Sequence, residues 1–232
     1  MRRLLRLGLP LVLLWACSCA QPPVKGVVSA IPWGNRELNT YTIFDREGTR
    51  LGEAGFGITR EETAFVLDRT ILIATTQDAT RLRLHAESLL PIEEERTITQ
   101  PGIPMELSVR YEKDTAAITV SGPGAPASST VKVTEDTYAE GEIPMLLRCV
   151  RFDPGKRLGL GILLSLEASV VRAQVRVVGK EKVTTSLGRF DAWKVEVAGG
   201  RLGQTFWYQA EPPFRLVQYD DGRYLYKTEE AQ

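Results

Sequence analysis

The residues able to carry acid–base or nucleophilic chemistry are few and scattered. The sequence holds a single histidine, His85. It alternates with Arg81, Arg83 and Glu87 on the polar face of a strand-like stretch, which predicts a solvated position rather than a general base. Glu93, Glu94 and Glu95 form a charge run after a proline and read as a solvated face. Asp220-Asp221-Gly222 has the composition of a hairpin turn. Ser165 and Ser169 have no identifiable base, and neither a Gly-x-Ser-x-Gly elbow nor a phosphate loop is present. One histidine cannot supply a histidine cluster, and the three cysteines lack paired zinc spacing. These residues predict no enzyme activity, no cofactor and no metal.

The one strong chemical signal is Cys17. The chain opens Met-Arg-Arg-Leu-Leu-Arg, continues through an apolar run over 7–15, and reaches Ala16-Cys17. A cationic start, a short apolar run and a small residue before a junction mark an export signal. Leu14, Ala16 and Cys17 stand as in the bacterial lipobox, in which the cysteine thiol takes the lipid. The expectation is a signal peptide over 1–16, lipidation at Cys17, a tether over 17–32 and one β domain over 33–232. The partner is then a membrane, reached through the lipid anchor. Ser18 in place of aspartate favours the outer membrane in a cell with two membranes. Cys19 is a second candidate acceptor, and cleavage after Ala20 without lipid is an alternative. The apolar run, interrupted by Pro10, is far shorter than the roughly 20 residues that span a bilayer. Pairing of Cys19 with Cys149 stays open; Cys149 lies in an apolar segment, where a free thiol behaves as a small hydrophobe.

Charge narrows the partners. The chain has 29 basic and 29 acidic residues, and loss of Arg2, Arg3 and Arg6 with the signal leaves a mildly acidic protein. No basic excess exists to neutralise phosphates, so nucleic acid is not an expected partner.

The elements that would position a site are mostly strands. Leu82, Leu84 and Ala86 alternate with the polar residues around His85, and Val171, Ala173, Val175 and Val177 alternate with Arg172, Gln174 and Arg176. Stretches at 41–44, 51–58, 65–75, 96–99, 106–112, 116–121, 204–209, 215–219 and 224–227 continue the series, while 122–129 reads as a loop. Pro144 followed by apolar residues at three- and four-residue spacing predicts a short helix over 143–150 that plugs one end of a sheet. The fold class is therefore all-β in the main: a large curved antiparallel sheet forming a barrel or half-barrel, with one short helix. A curled sheet offers a concave apolar surface, and Trp193, Val195 and Trp207 are the candidate groove for a lipid or other apolar small molecule. Trp33 is expected to cap one end. The opposite reading is a barrel filled by its own side chains, in a structural or assembly protein of the cell envelope.

Residues 179–195 follow the pattern G-x-E-x-V-x-T-x-x-G-x-F-x-A-x-K-V, with Gly188 at the tight turn and Leu187 and Phe190 as its expected clamps. Leu89-Leu90-Pro91, Gly52 after Leu51, and the 205–208 and 213–217 stretches complete a set that resembles the family called domain of unknown function 3108, over about residues 35–227. The resemblance implies a strongly bent antiparallel sheet and carries no catalytic residues.

Overall fold

In the computed structural model, which describes residues 27–124 and 126–229, alternation is realised almost throughout. The chain first runs as an antiparallel meander: β1 (Arg36–Phe44), β2 (Arg50–Arg60), β3 (Ala64–Ile73), β4 (Thr76–His85), β5 (Pro91–Thr99), β6 (Met105–Tyr111), β7 (Thr115–Ser121) and β8 (Ala127–Lys132). The last of these begins inside the stretch expected to be a loop. After β9 (Thr137–Ala139) and a helical segment come β10 (Arg157–Leu164), β11 (Ser169–Thr185), β12 (Gly188–Gly199), β13 (Leu202–Gln209), β14 (Leu216–Asp220) and β15 (Leu225–Thr228). β1 pairs with β15 and joins the halves into one 15-stranded sheet, with β8 and β9 at its two edges.

The sheet is not closed; it is rolled like a scroll. Leu160, Ile162 and Leu164 of β10 enter the main core, whereas Leu163, pointing the other way, packs with Leu107, Val109, Ala116, Ile118 and Val133. The inner face of β6 and β7 thus lies over the outer face of β10. Such an overlap buries apolar residues on both faces of β10 and shields the β9 edge, where an open sheet would expose unpaired backbone groups.

The helical segment runs inside the roll. Glu140–Glu142 and Leu147–Cys149 are 3-10 turns flanking α1 (Ile143–Leu146), so the expected helix is present and begins three residues earlier. Every residue from 141 to 150 is buried. Pro144 sits in the first turn, where its missing N–H costs nothing. Its carbonyl accepts the Tyr208 hydroxyl at 2.9 Å.

Residues 27–32, expected as tether, belong to the folded body. Val27 is buried, and the Ser29 N–H and hydroxyl both donate to the Cys149 carbonyl, at 2.8 and 2.6 Å. The expected signal peptide, Cys17 and Cys19 lie outside the described residues. The chain enters beside Trp33, which is buried edge-on against Phe65 at the β3 start. This entry end is sealed by Arg148 of the helical segment. Its buried guanidinium donates to both carboxylate oxygens of Glu37 (2.7 and 3.1 Å) and to the carbonyls of Phe214 (3.0 Å) and Pro213 (2.8 Å). It also lies 5.3 Å from the Trp33 ring, so Trp33 does cap an end.

Two glycines are required by geometry. Gly188, after the two-residue loop Ser186-Leu187, has φ +120°, a conformation that side chains with a Cβ resist. Gly52 lets β2 and β3 meet: a Cβ there would lie 1.9 Å from the Leu72 carbonyl oxygen. The turn at Gly188 is anchored by Phe190 but not by Leu187, which is exposed.

Candidate functional site

The groove expected from Trp193, Val195 and Trp207 does not form, because the three do not share a face. In the β12–β13 pair, Trp193 stands opposite Tyr208, Val195 opposite Phe206, and Lys194 opposite Trp207. Directly opposed residues share a face, so Trp193 and Val195 join Phe206 and Tyr208 inside, and Trp207 lies outside. Val195 is fully buried in core, and Trp193 stacks on Phe152 at 5.9 Å. Trp207 instead packs with Val183, Ala192 and Val217 on the outer face, donates its indole N–H to Glu181 and lies under Lys194.

The glutamate run needs a second correction. Glu93 and Glu95 face outward as expected, but Glu94 points into the scroll and is buried. One oxygen accepts the Ser165 hydroxyl at 3.0 Å, the other the Tyr111 hydroxyl at 3.5 Å. Burial pushes its carboxyl above the usual range, against the pull of Ser165, Arg96 and Arg69. His85 is exposed near the entry end, and Asp221 opens the β14–β15 turn, both as expected.

The open interior lies at the other end. Strand directions place 73, 76, 98 and 202 together, opposite the entry end, and there the scroll holds a cavity of about 610 Å³. We call its opening the mouth. Ile71, Ile73, Ile98, Leu202 and Tyr224 line its throat, and an aromatic ladder runs deeper, with Phe206 stacked on Tyr219 at 4.6 Å and Tyr219 on Tyr226 at 4.9 Å. The ladder hydroxyls are held: Gln204 donates to Tyr219 at 3.1 Å, and Tyr226 donates to Asp221 at 3.0 Å.

The floor is charged. Along β3 the inward residues change from Phe65 and Leu67 to Arg69; on β4 they change from Leu84 and Leu82 to Thr80 and Asp78; on β5 Glu94 is followed by Arg96. Arg96 grips Asp78 through two hydrogen bonds of 2.9 and 2.6 Å. Arg69 reaches the same carboxylate at 3.5 Å and the Thr80 hydroxyl at 3.3 Å. Burial works to raise the Asp78 carboxyl, but the hydrogen bond from Arg96 and the charge of Arg69 outweigh it and hold it below the usual carboxylate range. Glu140, at the start of the helical segment, completes the floor.

An apolar throat over a charged floor can hold an amphiphilic molecule. Among the described residues no group of three or more histidine, cysteine or acidic side chains could hold a metal ion, and no helix is long and apolar enough to cross a membrane. Sequence reasoning missed Arg69, Asp78 and Arg96. The signal was available in part: the alternation through Leu84 and Leu82 extends backwards to Thr80 and Asp78.

Comparison with known proteins agrees with this architecture. A crystal structure titled as a beta-barrel-like protein of the domain of unknown function DUF1849, from Brucella abortus, superposes with a TM-score of 0.58 at 12% identity, over 87% of this chain and 98% of that one. At that identity the likeness concerns the fold alone. No curated protein matches the chain. The family model described as "Protein of unknown function (DUF3108)" matches residues 40–225, so the resemblance carried by the turn at Gly188 and its flanking strands holds across the sheet, and the chain belongs to the DUF3108 family.

Proposed function

We propose that this protein is an exported bacterial lipoprotein, held to the cell envelope by acyl chains on Cys17, that takes an apolar or amphiphilic molecule into the mouth of its scroll. One observation carries the binding half: the interior is divided. Towards the entry end it is packed solid by α1, Trp33 and Arg148, while towards the mouth a cavity of about 610 Å³ stays open. That volume falls within the roughly 300–1,000 Å³ of small-molecule sites. The role we favour is binding: the cavity joins an apolar throat to a charged floor whose Asp78 is held in an ion pair with Arg96. The Leu14-x-Ala16-Cys17 junction carries the anchoring half, and the outer membrane is favoured in a two-membrane cell.

Native mass spectrometry of the full protein purified from bacterial membranes tests the binding half. The expected result is a co-purifying lipid or other apolar molecule near one per chain. If none is found, and the protein takes up no apolar fluorescent probe, the second reading stands: a structural or assembly protein of the envelope, favoured by the filled entry half. For the anchor, Cys17→Ser should abolish labelling by a fatty-acid analogue and leave uncleaved precursor; labelling that persists until Cys19 is changed would move the site.

A further inference from the structure

Hydrogen-bond accounting at the cavity floor narrows the ligand. Asp78 is held by Arg96 through two short contacts, one to each carboxylate oxygen. Arg69 is left with one long contact to Asp78 and one to Thr80, both through the same Nη2 atom. Its Nε–H is buried and has no partner in the structure. A guanidinium has five donors, and among the described residues only Nη2 of this one makes hydrogen bonds. The remaining charges around the cavity are largely engaged. Arg201 pairs with Glu167, Arg223 lies 4.8 Å over the Tyr224 ring, and Asp221 accepts the Tyr226 hydroxyl and the N–H groups of Arg223 and Tyr224. Of the three carboxylates lining the cavity, Glu140 and Asp221 have no ion pair among the described residues, and only Asp78 is paired.

Resting on the binding role proposed above, we infer that the cavity takes a single-chain amphiphile with an anionic head group, a carboxylate or a phosphate monoester, seated head-first on Arg69. The order of residues along β3 sets the direction. Arg69 lies deepest, and Ile71 then Ile73 lead outwards to the mouth, joined there by Ile98 and Leu202. An anion at the floor answers the Nη1 donors of Arg69, which have no hydrogen-bond partner among the described residues, and its chain covers the apolar throat. Size agrees: at about 30 Å³ per water-sized group the cavity holds roughly twenty such groups, which suits one alkyl chain with its head. Arginine also matches both oxyanions in its fork geometry.

The test uses the full-length protein in a detergent that carries no single alkyl chain. It is incubated in turn with dodecanoate, dodecyl phosphate, dodecanol and dodecylamine, and the adducts are counted by native mass spectrometry. The expected result is that one or both anions bind at least roughly tenfold better than dodecanol, the loss expected when a charge-assisted hydrogen bond is absent. Whichever anion dominates tells a fatty-acid-like ligand from a phosphate-headed one. Arg69→Met should bring the anions down to the dodecanol level, and Arg69→Lys should keep part of the preference. Equal binding of all four, or preference for the amine, overturns the anionic assignment while the cavity still counts as a binding site. Failure of all four to bind overturns both. Where Arg69→Met does not fold, as read from its melting curve, the wild-type series decides alone.

Discussion

Arg148 offers the sharpest perturbation of the fold. Its guanidinium is fully buried and its partner Glu37 is largely so, with side-chain exposures of 0% and 12%. Arg148→Met fills similar space but removes the positive charge that is ion-paired with Glu37 and strips a donor from the Phe214 and Pro213 carbonyls. Removing one member of a buried pair costs about 3–5 kcal/mol, because the other charge is left uncompensated. For a chain of this size each kcal/mol moves the melting temperature by about 2–4 °C, so a drop on the order of 10 °C is expected. Glu37→Gln removes the counter-charge and should cost less, since Gln still accepts from Arg148. The double variant should then cost less than the sum of the singles, because it alone leaves no charge stranded. Urea unfolding followed through tryptophan fluorescence measures all three, and Trp33, beside the guanidinium, reports on this end directly. The pH dependence has a definite sign. Burial tends to raise the Glu37 carboxyl, but the Arg148 hydrogen bonds and charge prevail and hold it low. A carboxyl depressed in the folded state contributes stability above its unfolded pKa of about 4.3, and loses it as pH falls through the folded value. An Arg148→Met variant within about 1 kcal/mol of wild type at neutral pH would refute this account of the entry end.

Three further outcomes are expected. Glu142 is buried in the helical segment, one oxygen accepting the Ala139 N–H at 2.6 Å and the other unpartnered, and burial pushes its carboxyl well above the usual range. Its contribution is therefore greatest below about pH 4.3 and shrinks as pH rises towards the folded value, so Glu142→Gln should outlast wild type in urea at pH 8 and lose that advantage near pH 4; a gap independent of pH would contradict the assignment. Gly188→Val should lower stability by about 1–3 kcal/mol through its positive φ alone, because a Cβ there meets nothing within 4 Å; an unchanged melting curve would remove this account of the turn. Trp207→Ala should cost about 3–5 kcal/mol by emptying the outer-face cluster while leaving ligand uptake at the mouth intact, and loss of uptake in a folded variant would put Trp207 back among the groove residues.

What was legible in the sequence was whatever depends on neighbours along the chain. The alternation around Leu82 and Val175, the glycine at 188 and the proline-led helix are local signals, and each stands where its pattern put it. The candidate site depended on register, which no single strand encodes. Trp207 alternates with Phe206 in an unmistakable way, yet which of the two faces inward is set by the pairing of Trp193 with Tyr208 across β12 and β13. The charged floor was illegible for a related reason. Arg69, Asp78 and Arg96 are separate polar residues on three strands, and a polar residue in an alternating row is ordinarily read as solvent-facing. The register of β3, β4 and β5 sets Arg69 and Arg96 on either side of Thr80 and beside Asp78 on one face, at 2.6–3.5 Å, and the roll of the sheet turns that face inward. Glu94 was hidden by its neighbours Glu93 and Glu95, which made a buried acid look like one of three exposed ones.

The placement of entry and mouth at opposite ends has a mechanical consequence. With Cys17 as the anchor, nine residues separate it from Val27, a leash of at most about 35 Å when drawn out. A ten-residue strand such as β3 adds about 33 Å of body between the two ends. If the anchor proposed at Cys17 holds, the molecule is a cup attached at its stem, with its opening at the end away from the attachment. A ligand then arrives from, or departs towards, the facing compartment, and the stem can be seized without blocking the opening. Lying on its side, the cup could instead bring its rim to the lipid surface. Shortening the leash would penalise that second posture first, because the rim is the part farthest from the hinge.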